Sequence, residues 1–189
     1  MKKYLSKEQF DQVRRRIEAG DASLTIPRRV ARQFFTHVNN ASIKSIAGRS
    51  LLGQKFAIWA GVFAAPALLV VCIWALVLYF DWFAALAAPL AGTFWTIIAG
   101  LTGDKGEWWY GAVGLAAGLA LAAILEEAYA VPVALMVVSL FVHRVTYRVA
   151  QVWLIDLVST SYGAYDMLVE HIDLDDPELA AEQTEPSRA

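Results

Sequence analysis

Charge is what this sequence has least of over its middle. From Phe56 to Val142 the only Asp, Glu, Lys or Arg residues are Asp81, Asp104, Lys105, Glu107, Glu126 and Glu127. A water-facing surface needs far more, and ordinary soluble domains carry about a quarter of their residues as charges. Cysteine is nearly absent as well. Cys72 has no partner in the chain, which rules out an intramolecular disulfide. The three histidines, His37, His143 and His171, fall in separate segments, and the only nearby ligand types are the acids around His171. Those acids, Asp173, Asp175 and Asp176, read as a solvated tail, so no metal is expected. No G-x-S-x-G, Walker-type or dinucleotide-binding pattern occurs. Glu126 and Glu127 are neighbours on a helix and point to different faces, which disfavours shared acid/base work. These gaps predict a protein with no cofactor and no catalysis of its own.

Long apolar runs fill the space left by charge. The chain is 58% hydrophobic with mean hydropathy +0.46, and the excess is clustered. Phe56–Phe80 is a run of 25 residues with no ionisable acid or base. As a helix it covers roughly 35–38 Å, enough to cross a hydrocarbon layer of about 30 Å with some tilt. Further runs follow at Trp82–Gly103, Trp108–Leu125 and Ala128–Tyr147, the last reaching spanning length only if His143 and Arg144 snorkel. About 55 mostly polar residues precede the first run, which predicts an uncleaved signal anchor rather than a cleaved leader.

Opposite charges occupy the two ends. Residues 1–56 hold twelve Lys/Arg against four Asp/Glu, and residues 156–189 hold nine acids against Arg188. Lys44, Arg49 and Lys55 before the first run, with Arg144 and Arg148 after the last, predict cytoplasmic ends by the positive-inside rule. Lys105 falls on the same side in a four-span chain. Three spans with a re-entrant last segment is the alternative. No ionisable residue is expected at the centre of a span, which disfavours a proton-coupled carrier. Pro66, Pro89 and Pro132 read as kinks.

Within the N-terminal region, Ser6 and Gln9 have capping-box spacing and Gly20 supplies a stop, predicting a helix over 6–19. A second helix is expected from about Thr25, with Pro27 in its first turn, to Val38. Its stripe of Ile26, Val30, Phe34 and Val38 lies opposite Arg28, Arg29 and Arg32. These arginines are candidates for anionic lipid headgroups or for an acidic protein surface. Nucleic acid is disfavoured because no recognised binding motif surrounds them.

Small residues recur at helical spacing within the runs. Gly111, Gly114 and Gly118 are on one, and Ala84, Ala88 and Gly92 on another. They allow close backbone approach, and so predict packing of the second and third spans on each other or a homo-oligomer interface.

The sequence therefore predicts an all-α integral membrane protein with four transmembrane helices and N- and C-terminal cytoplasmic helices. Its parts are a basic region over 1–55, spans at 56–80, 82–103, 108–125 and 128–147, a helical extension over 148–172 and an acidic disordered tail over 173–189. The expected setting is a cell inner membrane. The expected function is a non-enzymatic accessory or scaffolding subunit that recruits, regulates or assembles protein partners at the cytoplasmic face. A small oligomeric channel or permease, with its pathway between subunits, is the alternative.

Overall fold

The computed structural model describes residues 4–80, 88–101 and 108–179. Its elements in chain order are α1 (Lys7–Ala19), β1 (Ser23–Thr25), α2 (Arg28–His37), α3 (Asn40–Ala47), α4 (Leu52–Phe80), α5 (Ala88–Leu101), α6 (Trp108–Ile124), α7 (Glu127–Thr160), α8 (Tyr162–Leu168), a 3-10 turn at Val169–His171 and β2 (Asp173–Asp175). Among the described residues the protein is all-α apart from this short ribbon. Contacts divide it into two compact units, residues 55–149 and a unit built from both ends of the chain, 1–54 with 150–189.

In the terminal unit, local signals set the helix ends. Ser6 and Gln9 make the reciprocal capping box of α1, and Gly20 ends it in the left-handed region at φ 85°. Asn39 caps α3 by accepting from the Ala41 N–H, and Gly48 closes it at φ 68°. The helix predicted from Thr25 starts later, at Arg28, because Ser23–Thr25 is taken up by β1. That strand pairs antiparallel with β2, with Leu24 opposite Leu174 and both buried.

The ordered ribbon differs from the disordered tail expected over 173–189. Residues 173–179 are held by three links that charge counting does not register. Asp176 is fully buried, and its Oδ2 accepts from Arg16 Nη2 at 2.7 Å and Nε at 2.9 Å. Its Oδ1 accepts from the backbone N–H groups of Glu178 and Leu179, satisfying donors of the final turn. Arg16 Nη1 also bonds Glu178 at 2.8 Å. One arginine on α1 thereby fixes the acidic segment more than 150 residues later.

The core of this unit is made of large apolar side chains. Phe10 packs on Tyr162 and Tyr165, with ring centroids 5.6 Å and 5.2 Å apart. Phe35 meets Trp153, and Leu154, Leu157 and Val158 are buried beside Ile26, Ile43 and Ile172. The chain turns between α7 and α8 at Ser161, not at Gly163. Ser161 has an extended backbone, accepts from the Ala164 N–H and donates to the Ile46 carbonyl. Gly163 lies against that same residue: a Cβ there would come within 3.2 Å of Ile46 Cγ2, so its missing side chain lets α3 and α8 approach.

The unit of residues 55–149 is built on an antiparallel pair, α4 and α7. Gly61 meets Thr146, the Ala65 carbonyl meets Ser139, Cys72 meets the Pro132 carbonyl and Tyr79 meets Glu127, so numbers rise on one helix as they fall on the other. The contact stripe on α4 is Ile58, Ala65, Cys72 and Ala75, at heptad-like spacing. Both helices are long and apolar enough to cross a membrane, and only 17% and 11% of their apolar windows are buried. A core helix of a water-soluble protein would be mostly buried. Exposed on α4 instead are Phe56, Phe63, Val70, Trp74 and Leu78. The helix α6 is apolar but shorter, and among the described residues two helices, α4 and α7, have spanning length.

Candidate functional site

A partly open cavity of about 210 Å³ lies among α5, α6 and α7. From α7 it takes Val137, Leu140, Phe141 and Arg144, which recur at helical spacing on one face. From α6 it takes Gly111, Gly114 and Leu115, and Ile98 of α5 completes the wall. Among the described residues, apolar side chains and glycines line it together with the Arg144 guanidinium.

The glycines of α6 define the shape. A Cβ at Gly118 would come within 2.5 Å of Val137 Cγ2, and one at Gly111 within 2.7 Å of Arg144 Cδ. Both positions bring α6 close to α7. Gly114, between them, would meet nothing within 4 Å, and its empty side is part of the cavity. The three predicted packing glycines therefore split into two that admit neighbours and one that leaves space. Their partner is α7, whereas the sequence favoured the second span.

On an adjoining face of α7, polar groups link helices. Ser139 is fully buried and donates to the Ala65 carbonyl at 2.6 Å, beside Pro66, while it accepts from Trp95 Nε1 at 2.9 Å. A hydroxyl beside a proline in a membrane helix commonly satisfies backbone or side-chain groups in this way. The Trp95 ring stands edge-on to His143 at 4.9 Å, and His143 meets Tyr147 at 4.6 Å. Cys72 donates to the Pro132 carbonyl at 3.2 Å. A hydroxyl in an apolar helix often bonds a carbonyl of its own preceding turn. Thr146 does bond its own helix, at Val142, but Ser139 crosses to two others. The i, i+4 spacing of Ser139 and His143 was the available signal, too weak to name Trp95.

The predicted lipid- or partner-binding arginines do not form one surface. Arg28 is buried, 6% exposed, and its Nε donates to Gln151 Oε1 at 3.3 Å. Gln151 Nε2 in turn donates to the Ile26 carbonyl at 2.7 Å. Arg28 is thus placed inside the terminal unit. Arg29 is exposed and Arg32 half-buried on α2. Of the second small-residue set, Gly92 has open space at its Cβ position, Ala88 begins α5, and Ala84 lies outside the described residues.

Among the described residues no three His, Cys, Asp or Glu side chains gather as metal ligands. In the terminal unit, burial pushes the Tyr165 phenol up to about 12, with Tyr162 beside it adding to the shift. That keeps the buried hydroxyl protonated. Comparison with protein-family models, curated proteins and solved structures finds no match to this chain.

Proposed function

We propose that this protein is a non-enzymatic scaffold of a cell inner membrane, in which an apolar helical unit anchors a folded cytoplasmic domain that recruits, regulates or assembles partner proteins. The observation that carries this is the shared unit formed by residues 1–54 and 150–179. Two ends that fold together must lie on one side of a bilayer, so the chain crosses it an even number of times. The antiparallel run of α4 and α7 fits the same requirement. Four crossings, near 56–80, 82–103, 108–125 and 128–147, accommodate α5 and α6 within the second and third. The basic flanks Lys44, Arg49, Lys55 and Arg148 favour the cytoplasmic side for both ends.

Scaffolding is supported by where the charges go. Arg16 with Asp176 and Glu178, and Arg49 with Asp156, tie distant parts of the terminal unit together. Such links build a rigid domain and supply no nucleophile or acid/base pair.

Cross-linking of the tagged full chain in native membranes, followed by mass spectrometry, tests the reading. Partner cross-links should concentrate in residues 1–54 and 150–179, and reporters at Lys105 and Ala189 should both be cytoplasmic. Cross-links confined to residues 55–149, or solute flux through the purified protein in liposomes, would overturn it in favour of a permease.

A further inference from the structure

We infer that residues 150–179 are the template on which residues 1–54 fold, so that the terminal unit closes only in a chain whose last long helix is already in place. The coupling stands on contacts within the terminal unit. Its meaning as a check on complete insertion rests on the membrane reading of α4 and α7.

The N-terminal elements are too short to hold themselves. The helices α1, α2 and α3 have 13, 10 and 8 residues, at or below the roughly 12–15 at which an isolated helix is marginal in water. The strand β1 has three residues and needs a partner. Each of the four is tied to residues 150–179. Phe10 of α1 packs on Tyr162 and Tyr165, and Arg16 holds Asp176. The ladder of β1 is completed by β2. Phe35 of α2 meets the Trp153 ring, and Arg28 meets the Gln151 side chain. In α3 the Ile46 carbonyl accepts from Ser161 at 3.0 Å. Ahead of α1, the Leu5 carbonyl accepts from the Tyr162 hydroxyl, also at 3.0 Å.

Residues 150–160 start from a different position, because they are the last turns of α7, which runs unbroken from Glu127 to Thr160. A nucleated helix grows by one bond per residue and avoids the unfavourable first turn. The face of Ala150, Leu154, Leu157 and Val158 is therefore formed before residues 1–54 cover it. Chain closure points the same way. Closing a flexible loop as long as residues 55–149 lowers the equilibrium by a factor of roughly a thousand. The antiparallel pairing of α4 and α7 returns the chain to the end at which it entered, which removes most of that penalty. In a membrane, a chain whose last crossing is missing leaves Phe10, Ile26 and Phe35 uncovered, and any partner surface on residues 1–54 is then unformed.

Hydrogen exchange of the full-length protein in liposomes, read by mass spectrometry, tests the inference. Tyr165→Leu and Trp153→Leu should each speed exchange at least about tenfold in α1, α2 and α3 together, although both substitutions lie in the other segment. The reverse pair, Phe10→Leu and Phe35→Leu, should speed exchange in residues 1–54 and leave the amides of 150–160 within about twofold, since α7 still holds them. Should the first pair unfold the unit outright, the wild-type protein in low urea carries the test: α1, α2 and α3 should open together on one urea slope.

Protection kept by α1, α2 or α3 in both the Tyr165 and Trp153 variants would overturn the inference, as would separate urea slopes for the three helices. Equal loss of protection at 150–160 in the Phe10 and Phe35 variants would overturn the template role. Extraction of the full chain from membranes by carbonate would contradict the membrane reading alone, while the exchange pattern still decides the coupling.

Discussion

The two units of this protein differ in the size of the side chains they mostly bury. In the terminal unit the interior is Phe10, Phe35, Tyr165, Leu154 and Ile172, while acids and arginines lie outside or in bonded pairs. In the unit of residues 55–149 the buried positions are mostly small, Ala65, Cys72, Ala75, Ala122 and Ser139 beside the larger Ile58, and Phe56, Trp74, Leu90 and Ile124 point outward. A single helix displays both rules. Along α7 the buried positions are Pro132, Ser139 and Thr146, then Ala150, Gln151, Leu154, Leu157 and Val158. Water rewards burial of a large apolar side chain by about 1.5–3 kcal/mol. Lipid offers no such gain, so close backbone approach and hydrogen bonds between helices decide the contacts instead. The change in size along α7 therefore reads as a change of solvent near residue 150.

The largest expected effect that sharpens this comparison is in the terminal unit. Arg16→Ala leaves the fully buried Asp176 without its guanidinium, a loss of about 3 kcal/mol. Hydrogen exchange should rise at residues 173–179 and stay unchanged at 55–149. Removing Asp176 as well should recover part of the stability, since no uncompensated charge is then left. Equal exchange in the ribbon with and without Arg16 would contradict the assigned role of this pair.

Next comes a contrast inside the apolar unit. Gly118→Ala drives a methyl into Val137, whose branched side chain has few ways to move, and should cost about 1–3 kcal/mol in detergent unfolding. Gly114→Ala meets nothing within 4 Å and should change stability by under about 0.5 kcal/mol. Similar losses at both positions would mean that α6 does not pack on α7 through Gly118.

The smallest effect at neutral pH concerns Tyr165. An unfolded tyrosine loses its proton near pH 10, whereas the folded phenol holds it to about 12. Its contribution is complete below pH 10 and is lost as pH rises from 10 to 12. Tyr165→Phe should flatten that alkaline decline, read by the near-ultraviolet signal of the folded protein.

Much of the helical framework was legible because its signals are local. Ser6, Gln9 and Gly20 sit within one helix, and the missing charge from Phe56 to Phe80 marks α4 directly. The ribbon was not legible: β2 has three residues, two of them acidic, and its partner lies about 150 positions earlier. Net charge suggested disorder there, since counting cannot reveal that Asp176 meets Arg16. Arg28 failed for a related reason. Its neighbours Arg29 and Arg32 made it look like part of a basic face, but Gln151, far along the chain, draws it inside. The cavity was hidden because glycines on one helix look alike in sequence, yet Gly118 meets Val137 and Gly114 leaves open space.

The proposed change of solvent near residue 150 can be tested by thiol labelling. Trp74 and Val152 are both exposed, at 62% and 48%, but belong to different units. In a Cys72→Ala background, Trp74→Cys and Val152→Cys are reconstituted separately into liposomes opened to a charged, membrane-impermeant maleimide from both sides. The lipid reading predicts labelling at position 152 and protection at 74 until detergent and denaturant are added. Equal, rapid labelling at the two positions would contradict it.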